Sequence, residues 1–429
     1  MLVRLQRAES RWFFLSMILF IAGGLCLQAV KAWLAEYWNH APDPELWERA
    51  AKLEPENANY WLHLGVYHEA ILLASDEARA LAEFRKAAQV NPYSADVWLR
   101  IAQAGEYMGD QAAARAAYEK AQLCHPISAV VAWRYGSFLI RQDDLPEAYS
   151  QIRRSIQADP TLTLSAISQF WEAGQDAGQI LAGLGPTSPN VYFTALEFFI
   201  SQRRADAALA VWQRMLDLHL TFEMKQAMPL VNDLIRQDRL AEAVRSWREA
   251  LRATNWPADT PIGGSLVFDG RFEHDALNGG FAWWMVPTSG AQYGFDTAVT
   301  HSGPRSLRVT FNGSANLDFA QLQQYVAVEP GRRYRLSCFL RTEGISTESG
   351  VAFEVEDARD PPALNQFTPA LTGTHPWTPA EVEFTTGPGT HLLLISLRRK
   401  PSQRLDNKLS GTVWVADVSL APVSGGSKP

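Results

Sequence analysis

Cysteine is scarce in this sequence of 429 residues. The three cysteines, Cys26, Cys124 and Cys338, are too few for a disulfide scaffold and too far apart for a cysteine-based zinc site. An excess of basic residues is also missing. The 39 Lys and Arg stand against 46 Asp and Glu, and the net charge of -7 disfavours nucleic-acid binding, which needs a basic surface. Charged residues make up 20% and hydrophobic residues 47%, which excludes a disordered chain and a polytopic membrane protein.

Recognisable catalytic motifs are missing as well. The sequence contains no G-x-S-x-G, no H-E-x-x-H and no phosphate-binding glycine loop. His63 and His68 do not have the i, i+4 spacing that would align two ligands on one helix face. Neighbouring acids occur at Glu354, Glu356 and Asp357, which solvated strand edges explain more simply than a glycosidase acid pair does. We therefore predict that the protein is not an enzyme and requires no cofactor.

One long apolar run is present near the N-terminus. Residues 12–30 contain no charge, and as a helix they would extend roughly 28 Å, enough to cross the hydrocarbon core. Arginines precede the run and acidic residues follow it, so the positive-inside rule leaves residues 1–11 in the cytoplasm. We predict an uncleaved single-pass anchor in the inner (cytoplasmic) membrane, with the bulk of the chain exported to the periplasm or beyond. The alternative is a cleaved signal peptide, for which Val30-Lys31-Ala32 offers a small-residue cleavage site.

Prolines mark a repeat in the middle of the chain. Pro55, Pro92, Pro126 and Pro160 recur at nearly constant spacing, with a first interval slightly longer than the two equal intervals that follow. Other positions keep the same register, namely Trp61 with Trp98, Phe84 with Tyr118, and Ala87 with Ala121. This pattern resembles the tetratricopeptide repeat, whose signature of W-x2-L-G-x2-Y, A-x3-F and a final proline recurs with a matching period. The resemblance implies antiparallel helix pairs stacked into an α-solenoid, to which we assign residues 31–257.

The same resemblance implies a binding function. In tetratricopeptide proteins, residues of the first helix of each pair line a groove for a peptide or protein partner. The corresponding residues here are Asn59, Leu62, Val66, Glu69, Asp96, Leu99, Gln103, Glu106, Tyr107, Val130, Trp133, Ser137 and Arg141. The alternative is a spacer whose face is only solvated or packed on the next domain.

The C-terminal third changes from helical periodicity to strict alternation. Residues 258–263 form a short linker, residues 264–424 the alternating domain, and residues 425–429 a flexible tail. Strands are predicted at 306–311, 334–340, 351–355, 381–385, 391–397 and 412–420. Short strands separated by turn signals predict an all-β sandwich or jelly roll. The predicted fold class is therefore multidomain α plus β: a transmembrane helix, an all-α solenoid and an all-β sandwich.

Short motifs follow one another in a particular order within this domain. It opens with Phe268-Asp269-Gly270-Arg271-Phe272-Glu273, continues with Trp283-Trp284, and closes with Ala416-Asp417-Val418-Ser419-Leu420. This order resembles the jelly-roll carbohydrate-binding-module family (CBM4/9-like) found beside bacterial glycosidases. The resemblance implies glycan binding by aromatic faces, although large aromatics also build cores. The candidates are Trp283, Trp284, Tyr293, Phe295 and Tyr325.

The carbohydrate-binding-module resemblance also implies a structural calcium ion. The matching carboxylates are Glu273 near the first strand and Asp417 near the last. Calcium takes several oxygen ligands, and the sequence offers only these two side chains plus main-chain carbonyls. The alternative is that both acids lie in turns or on solvated strand ends.

Together these segments predict a non-enzymatic, membrane-anchored scaffold or adaptor of the bacterial cell envelope. The solenoid groove would bind a protein partner, and the sandwich would bind polysaccharide in an exopolysaccharide-associated role. The alternative is a polysaccharide-acting enzyme, similar to a glycoside hydrolase, that uses the β domain. A cleft with two carboxyl groups at glycosidase distance would favour the enzyme.

Overall fold

The computed structural model describes residues 8–70, 76–185, 189–256 and 264–423. Helices come first along the chain and strands follow, so the predicted fold class is confirmed. The chain divides into two compact units, Met1–Thr187 and Ser188–Pro429. The predicted linker at 258–263 and the tail at 425–429 lie outside the described residues, as does the predicted cytoplasmic segment up to residue 7.

The apolar run lies within one long helix, α1 (Ala8–Asn39). Its segment Arg11–Asn39 is long and apolar enough to cross a membrane by length and composition, and its apolar window is not buried in the protein. The last turns of α1 belong to the solenoid instead. Ala35 lies in a small core whose other fully buried members are Ala50, Ala51, Tyr60 and Leu64. The apolar segment and the last turns, which pack in the solenoid, therefore belong to one unbroken helix.

Paired helices fill the rest of the first unit. They are α2 (Pro44–Leu53), α3 (Ala58–Ala70), α4 (Glu77–Val90), α5 (Ala95–Tyr107), α6 (Gln111–Cys124), α7 (Ala129–Arg141), α8 (Leu145–Ala158), α9 (Thr163–Glu172) and α10 (Ala177–Leu184). The hydroxyl groups of Ser94 and Ser128 cap α5 and α7 at equivalent positions of the repeat. Helices α4 and α6 end just before Pro92 and Pro126, because proline cannot continue the hydrogen-bond ladder.

Close contacts between the paired helices depend on the small and aromatic positions of the repeat. A Cβ on Gly65 would lie 2.3 Å from the ring of Phe84, so only glycine allows this approach. Tyr118 is buried, and its ring stacks on Tyr135 with 5.5 Å between centroids. The Tyr118 hydroxyl donates to Glu106 Oε1 at 2.5 Å. These contacts are those that the tetratricopeptide resemblance implies.

The second unit joins four helices to a β-sandwich. The helices are α11 (Pro189–Ser201), α12 (Ala205–Asp217), α13 (Met224–Arg236) and α14 (Leu240–Ala253). The strands are β1 (Trp284–Met285), β2 (Ala291–Asp296), β3 (Ser306–Asn312), β4 (Phe319–Ala327), β5 (Arg333–Ile345), β6 (Ala352–Asp357), β7 (Asn365–Phe367), β8 (Gly373–Thr385), β9 (Leu392–Arg399) and β10 (Ser410–Pro422). They form two antiparallel sheets: sheet A in the order β1-β4-β9-β6-β7, and sheet B in the order β2-β3-β10-β5-β8.

Strand β4 lies between β1 and β9 in sheet A, although the sequence does not predict it. Leu322 and Val326 point into the core, and so does Gln324 between them, which is fully buried. The Gln324 amide accepts from the Phe268 N–H at 3.0 Å and donates to the Phe268 carbonyl at 2.9 Å. A polar residue at an inward position therefore interrupts the alternation, and its burial is compensated because both ends of the amide are paired.

Helices α13 and α14 pack directly on the sandwich. Asn232 Oδ1 in α13 accepts a hydrogen bond from the Gly280 N–H at 2.6 Å. Trp247 in α14 is buried, and its ring meets Phe268 and Phe281 edge to face at centroid distances of 5.1 and 6.0 Å. A Cβ on Gly280, whose φ is +57°, would lie 2.8 Å from the Trp247 ring. The last helix pair and the sandwich thus share one packed surface.

A fully buried arginine joins several loops at one end of the sandwich. Arg399 ends β9, and its guanidinium donates to Asn316 Oδ1 (2.7 Å), Leu317 O (2.8 Å), Thr347 Oγ1 (3.0 Å) and Asn407 O (3.2 Å). These four acceptors are neutral oxygens, and burial lowers the pKa of Arg399. The side chain is therefore held by main-chain and amide dipoles from segments far apart in sequence.

Candidate functional site

Side chains of successive first helices form a polar ladder on the solenoid. Arg100 Nη1 in α5 donates to Glu69 Oε2 in α3 at 2.8 Å, and Arg134 Nη1 in α7 donates to Gln103 Oε1 in α5 at 3.0 Å. The two arginines are one repeat apart, so each reaches back to the preceding helix pair at the same position of the repeat. The sequence analysis missed both arginines, although the repeat period could have identified them.

Further rungs extend this ladder. Arg141 Nη2 donates to Glu106 Oε2 at 2.6 Å, and Ser137 Oγ donates to Gln169 Oε1 in α9 at 3.1 Å. The structure thus brings together these predicted groove residues: Glu69, Gln103, Glu106, Ser137 and Arg141. Their polar groups are paired with one another or with neighbouring helices, so a partner would meet a pre-ordered polar surface.

The other predicted groove residues differ in exposure. Tyr107 is 74% and Val130 55% exposed, which makes them the largest apolar contact surfaces of the set. Leu99 is only 4% exposed because it packs in the core of the solenoid, so it offers no side-chain surface to a partner. The remaining members are exposed or half-buried: Asn59, Leu62, Val66, Asp96 and Trp133.

The outer face of sheet A carries a row of aromatic and polar side chains. The strand register places Trp284 opposite Gln323, Gln323 opposite Ser396, Ser396 opposite Glu354, and Glu354 opposite Phe367. Side chains alternate between the two faces of a strand, and the neighbours of these residues fill the core, so all five lie on the face away from the core. On that face Ser396 and Glu354 are buried, whereas Trp284, Gln323 and Phe367 are half-buried. We call these five residues the sheet A row.

A second outward row runs beside the first. It joins Tyr325, Leu394, Glu356 and Asn365 across strands β4, β9, β6 and β7. The rings of Trp284 and Tyr325 are perpendicular, with 6.3 Å between their centroids, and both are half-buried. The structure therefore brings together two of the aromatic residues that the sequence singles out for glycan binding, at one end of a polar face.

The other aromatic candidates lie elsewhere. Trp283 is buried against Phe353 in the core of the sandwich, and its indole N–H donates to the Asp269 carbonyl at 3.2 Å. Tyr293 and Phe295 lie in β2 of sheet B and pack against the same core. An enclosed ring cannot stack on a sugar. The glycan-binding role expected for Trp283 therefore does not agree with its position.

Acidic residues on sheet A are held by neighbouring side chains. Glu354 is buried, accepts from Asn365 Nδ2 at 3.0 Å and forms an ion pair with Arg398 Nε at 3.0 Å. Burial, together with the negative charge of Glu354, raises the pKa of Glu356. A glycosidase needs an acid and a base on opposite sides of the scissile bond, whereas these two carboxyl groups stand at alternate positions of one strand. Both carboxylate oxygens of Glu354 are already engaged, one by Asn365 and the other by Arg398.

The two carboxylates matched to a calcium site face an arginine. Arg271 Nε lies 3.8 Å from Asp417 Oδ1, and Arg271 Nη1 lies 3.9 Å from Glu273 Oε1. Asp417 also accepts hydrogen bonds from Ser302 and pairs with His301. Among the residues that the structure describes, no group of three or more His, Cys, Asp or Glu could hold a metal ion. Because a guanidinium already faces both carboxylates, these residues do not fit a calcium ion.

No protein-family model and no curated protein sequence matches the chain. Similar solved structures include PilW, a type IV pilus biogenesis factor (19% identity, 48% of this chain and 96% of that one, TM-score 0.30). They also include YrrB, a TPR protein with an unusual peptide-binding site (12% identity, 50% of this chain and 95% of that one, TM-score 0.27). A CBM4 structure is similar at 16% identity over 37% of this chain and 99% of that one, with a TM-score of 0.28. The neighbours thus include both kinds of fold that the sequence resembles.

Proposed function

We propose that the protein is a non-catalytic, membrane-anchored adaptor of the bacterial cell envelope. It binds a polysaccharide on the outer face of sheet A and a protein partner on the first-helix face of the solenoid. The observation that carries the proposal is the sheet A row, because it places aromatic rings at both ends of a line of hydrogen-bonding groups. Sites for polar ligands combine apolar surface with a few placed polar groups in this way.

The length of the sheet A row favours an oligosaccharide over a single sugar. It crosses all five strands of sheet A, from Trp284 in β1 to Phe367 in β7. Neighbouring strands are about 4.8 Å apart, so the row extends roughly 19 Å. The half-buried Gln323 lies between the two rings, where its amide can reach sugar hydroxyls, and the buried Ser396 and Glu354 continue the same line across the sheet.

The protein-binding part of the proposal is supported by the surface beside the polar ladder. Tyr107 is a large, exposed side chain at the end of α5, next to Glu106, which Arg141 holds. Val130, at the start of α7, is exposed one turn before Arg134, which is held by Gln103. When a partner covers this surface, the solenoid loses little conformational entropy, because Arg141 and Glu106 are already paired.

Anchoring is supported by the course of α1. The helix runs from the apolar segment into the core around Ala35 without a break. Cleavage after Ala32 would leave residues 33–39 as the only remnant of this helix. Ala35 and Trp38, which pack in that core, lie within this remnant, and an uncleaved anchor keeps them on one long helix. The arginines before residue 12 favour export of everything that follows.

Glycan binding is tested on the full chain in detergent. Soluble bacterial and plant polysaccharides are titrated into the protein, and binding is measured by calorimetry. We expect Trp284→Ala to weaken binding of the best ligand at least about tenfold, since it removes one end of the sheet A row. Trp377→Ala is the matched control, because Trp377 is a half-buried tryptophan in β8 of sheet B.

Three outcomes would contradict the proposal. If the wild-type protein binds no polysaccharide, glycan is not the ligand of sheet A. If Trp377→Ala weakens binding and Trp284→Ala does not, the site lies on the other sheet. If reducing ends are released from a bound polysaccharide, the protein is an enzyme.

A further inference from the structure

In each helix pair, a turn follows the second helix. These turns lie at the same end of the solenoid as the apolar part of α1. Gln28 and Lys31, at the end of the apolar run, line one surface depression together with residues 53–59. Val90 and Asn91, in the next such turn, line the same depression. The turns around Pro55 and Pro92 therefore lie at the level where the apolar run of α1 ends.

These turns expose large apolar side chains. Tyr93 is 84%, Leu123 81% and Ile127 80% exposed, and Val90 is also exposed. Tyr93 and Ile127 each follow the proline that ends their repeat, so they occupy equivalent positions in successive repeats. We call Val90, Tyr93, Leu123 and Ile127 the apolar edge.

A tryptophan and a lysine border each turn. Trp61 Nε1 donates to the Pro55 carbonyl at 2.9 Å, and Lys86 Nζ lies 4.2 Å from the centroid of the Trp61 ring. The same arrangement recurs one repeat later, at 2.8 and 4.3 Å, between Trp98, Pro92 and Lys120. Indole rings favour the boundary between hydrocarbon and water, and lysines extend their ammonium groups toward lipid headgroups.

We propose that the apolar edge rests in the interfacial layer of the bilayer that α1 spans. This inference depends on the anchoring proposed above. The occupant is lipid, because α1 brings this end of the solenoid to the membrane surface and residues 53–59 lie level with Lys31. Val90 and Tyr93 border one turn and Leu123 and Ile127 the next, so two successive turns of the repeat expose apolar side chains. Lys86 and Lys120 lie over the Trp61 and Trp98 rings, from where their flexible side chains can reach lipid phosphates.

The experiment places a fluorescent label on the apolar edge of the full chain. Cys26→Ser and Cys124→Ser remove the accessible thiols, and the buried Cys338, whose pKa is raised by burial, stays unlabelled. Ile127→Cys then carries the environment-sensitive label NBD, and Tyr93→Cys carries it in a second protein. Met108→Cys is the control, because Met108 is 50% exposed but lies at the opposite end of α5.

Labelled proteins are reconstituted into vesicles of phosphatidylethanolamine and phosphatidylglycerol, with and without lipids carrying a doxyl quencher near the headgroup. We expect NBD at positions 127 and 93 to shift to the blue and to lose at least about half of its emission to the quencher. NBD at position 108 should keep its aqueous spectrum and lose little emission.

Anchoring is measured separately, by flotation of the same vesicles after an alkaline carbonate wash. If the protein floats but positions 127 and 93 are quenched no more than position 108, the interfacial inference is overturned while anchoring stands. If the protein does not float, anchoring itself fails. If position 127 is shielded from aqueous iodide but not quenched by doxyl lipid, another protein covers the apolar edge, and the lipid inference is also overturned.

Discussion

Trp247→Ala tests whether the last helix pair and the sandwich are stable only together. The Trp247 ring is buried between α14 and the loop that precedes β1, where it contacts Phe268, Phe281 and Gly280. Truncation removes the largest side chain on this shared surface. It leaves the interior of the sheets untouched, because the ring lies outside the core between sheets A and B.

The expected effect is large. Truncation of a buried Phe or Trp to Ala costs about 3–5 kcal/mol. With two edge-to-face partners, at 5.1 and 6.0 Å, we expect a cost in the middle of that range, about 4 kcal/mol. Since each step of about 1.4 kcal/mol changes an equilibrium constant tenfold, the open population of this surface should increase roughly a thousandfold.

Hydrogen exchange of the full chain in detergent, read by mass spectrometry, measures this opening directly. We expect peptides from residues 224–253 and from residues 264–285 to lose protection together in Trp247→Ala. Trp377→Ala in β8 should leave both sets at wild-type rates. If residues 224–253 exchange faster while residues 264–285 keep their protection, the helices and the sandwich are independent, and our account of the shared surface is refuted.

Two further predictions concern single side chains. Tyr118→Ala should destabilise the solenoid by about 3–5 kcal/mol, and Tyr118→Phe by about 1.5 kcal/mol through loss of the hydrogen bond to Glu106. Urea unfolding followed by circular dichroism measures both, and a cost below about 1 kcal/mol for the alanine variant would contradict the predicted register. Glu356 has a raised pKa in the folded protein, so its ionisation opposes folding as pH rises from about 4.5 through the folded pKa. The Glu356→Gln variant should therefore lose less free energy of unfolding than the wild type between pH 4 and pH 7. If thermal unfolding shows equal losses for the two proteins, ionisation of Glu356 does not destabilise the fold.

Much of the solenoid could be predicted from the sequence because its repeat is local. A proline that ends a helix and a glycine that admits Phe84 act within one helix pair, so both leave a periodic signal. The polar ladder joins Arg100 and Arg134 to the helix pair that precedes each of them. In the sequence, polar residues that are paired in this way look the same as polar residues that are only solvated. Their partners become visible only once the helices are stacked.

The sandwich is harder to predict from the sequence at positions that break the alternation of apolar and polar residues along a strand. Gln324 and Arg399 point inward, where a strand pattern requires apolar residues, and each is compensated by hydrogen bonds to distant loops. Such pairing links residues far apart along the chain, which no local pattern can report. The same holds for the sheet A row. Trp284 is recognisable in the sequence, but Gln323 and Glu354 join it only through the strand order.

The continuity of α1 also has a consequence for how the protein matures and how it is removed. The small core around Ala35 needs Ala50, Tyr60 and Leu64, so under the proposed anchoring it closes only after the end of α1 has left the translocation machinery. Membrane insertion and folding of the array are then successive stages of one process. A chain cut near residue 32 would keep only residues 33–39 of this helix, too short to be stable alone. Under the proposed anchoring, shedding from the membrane would therefore leave this short helix held against Tyr60 and Leu64 by packing alone, and would loosen that end of the array.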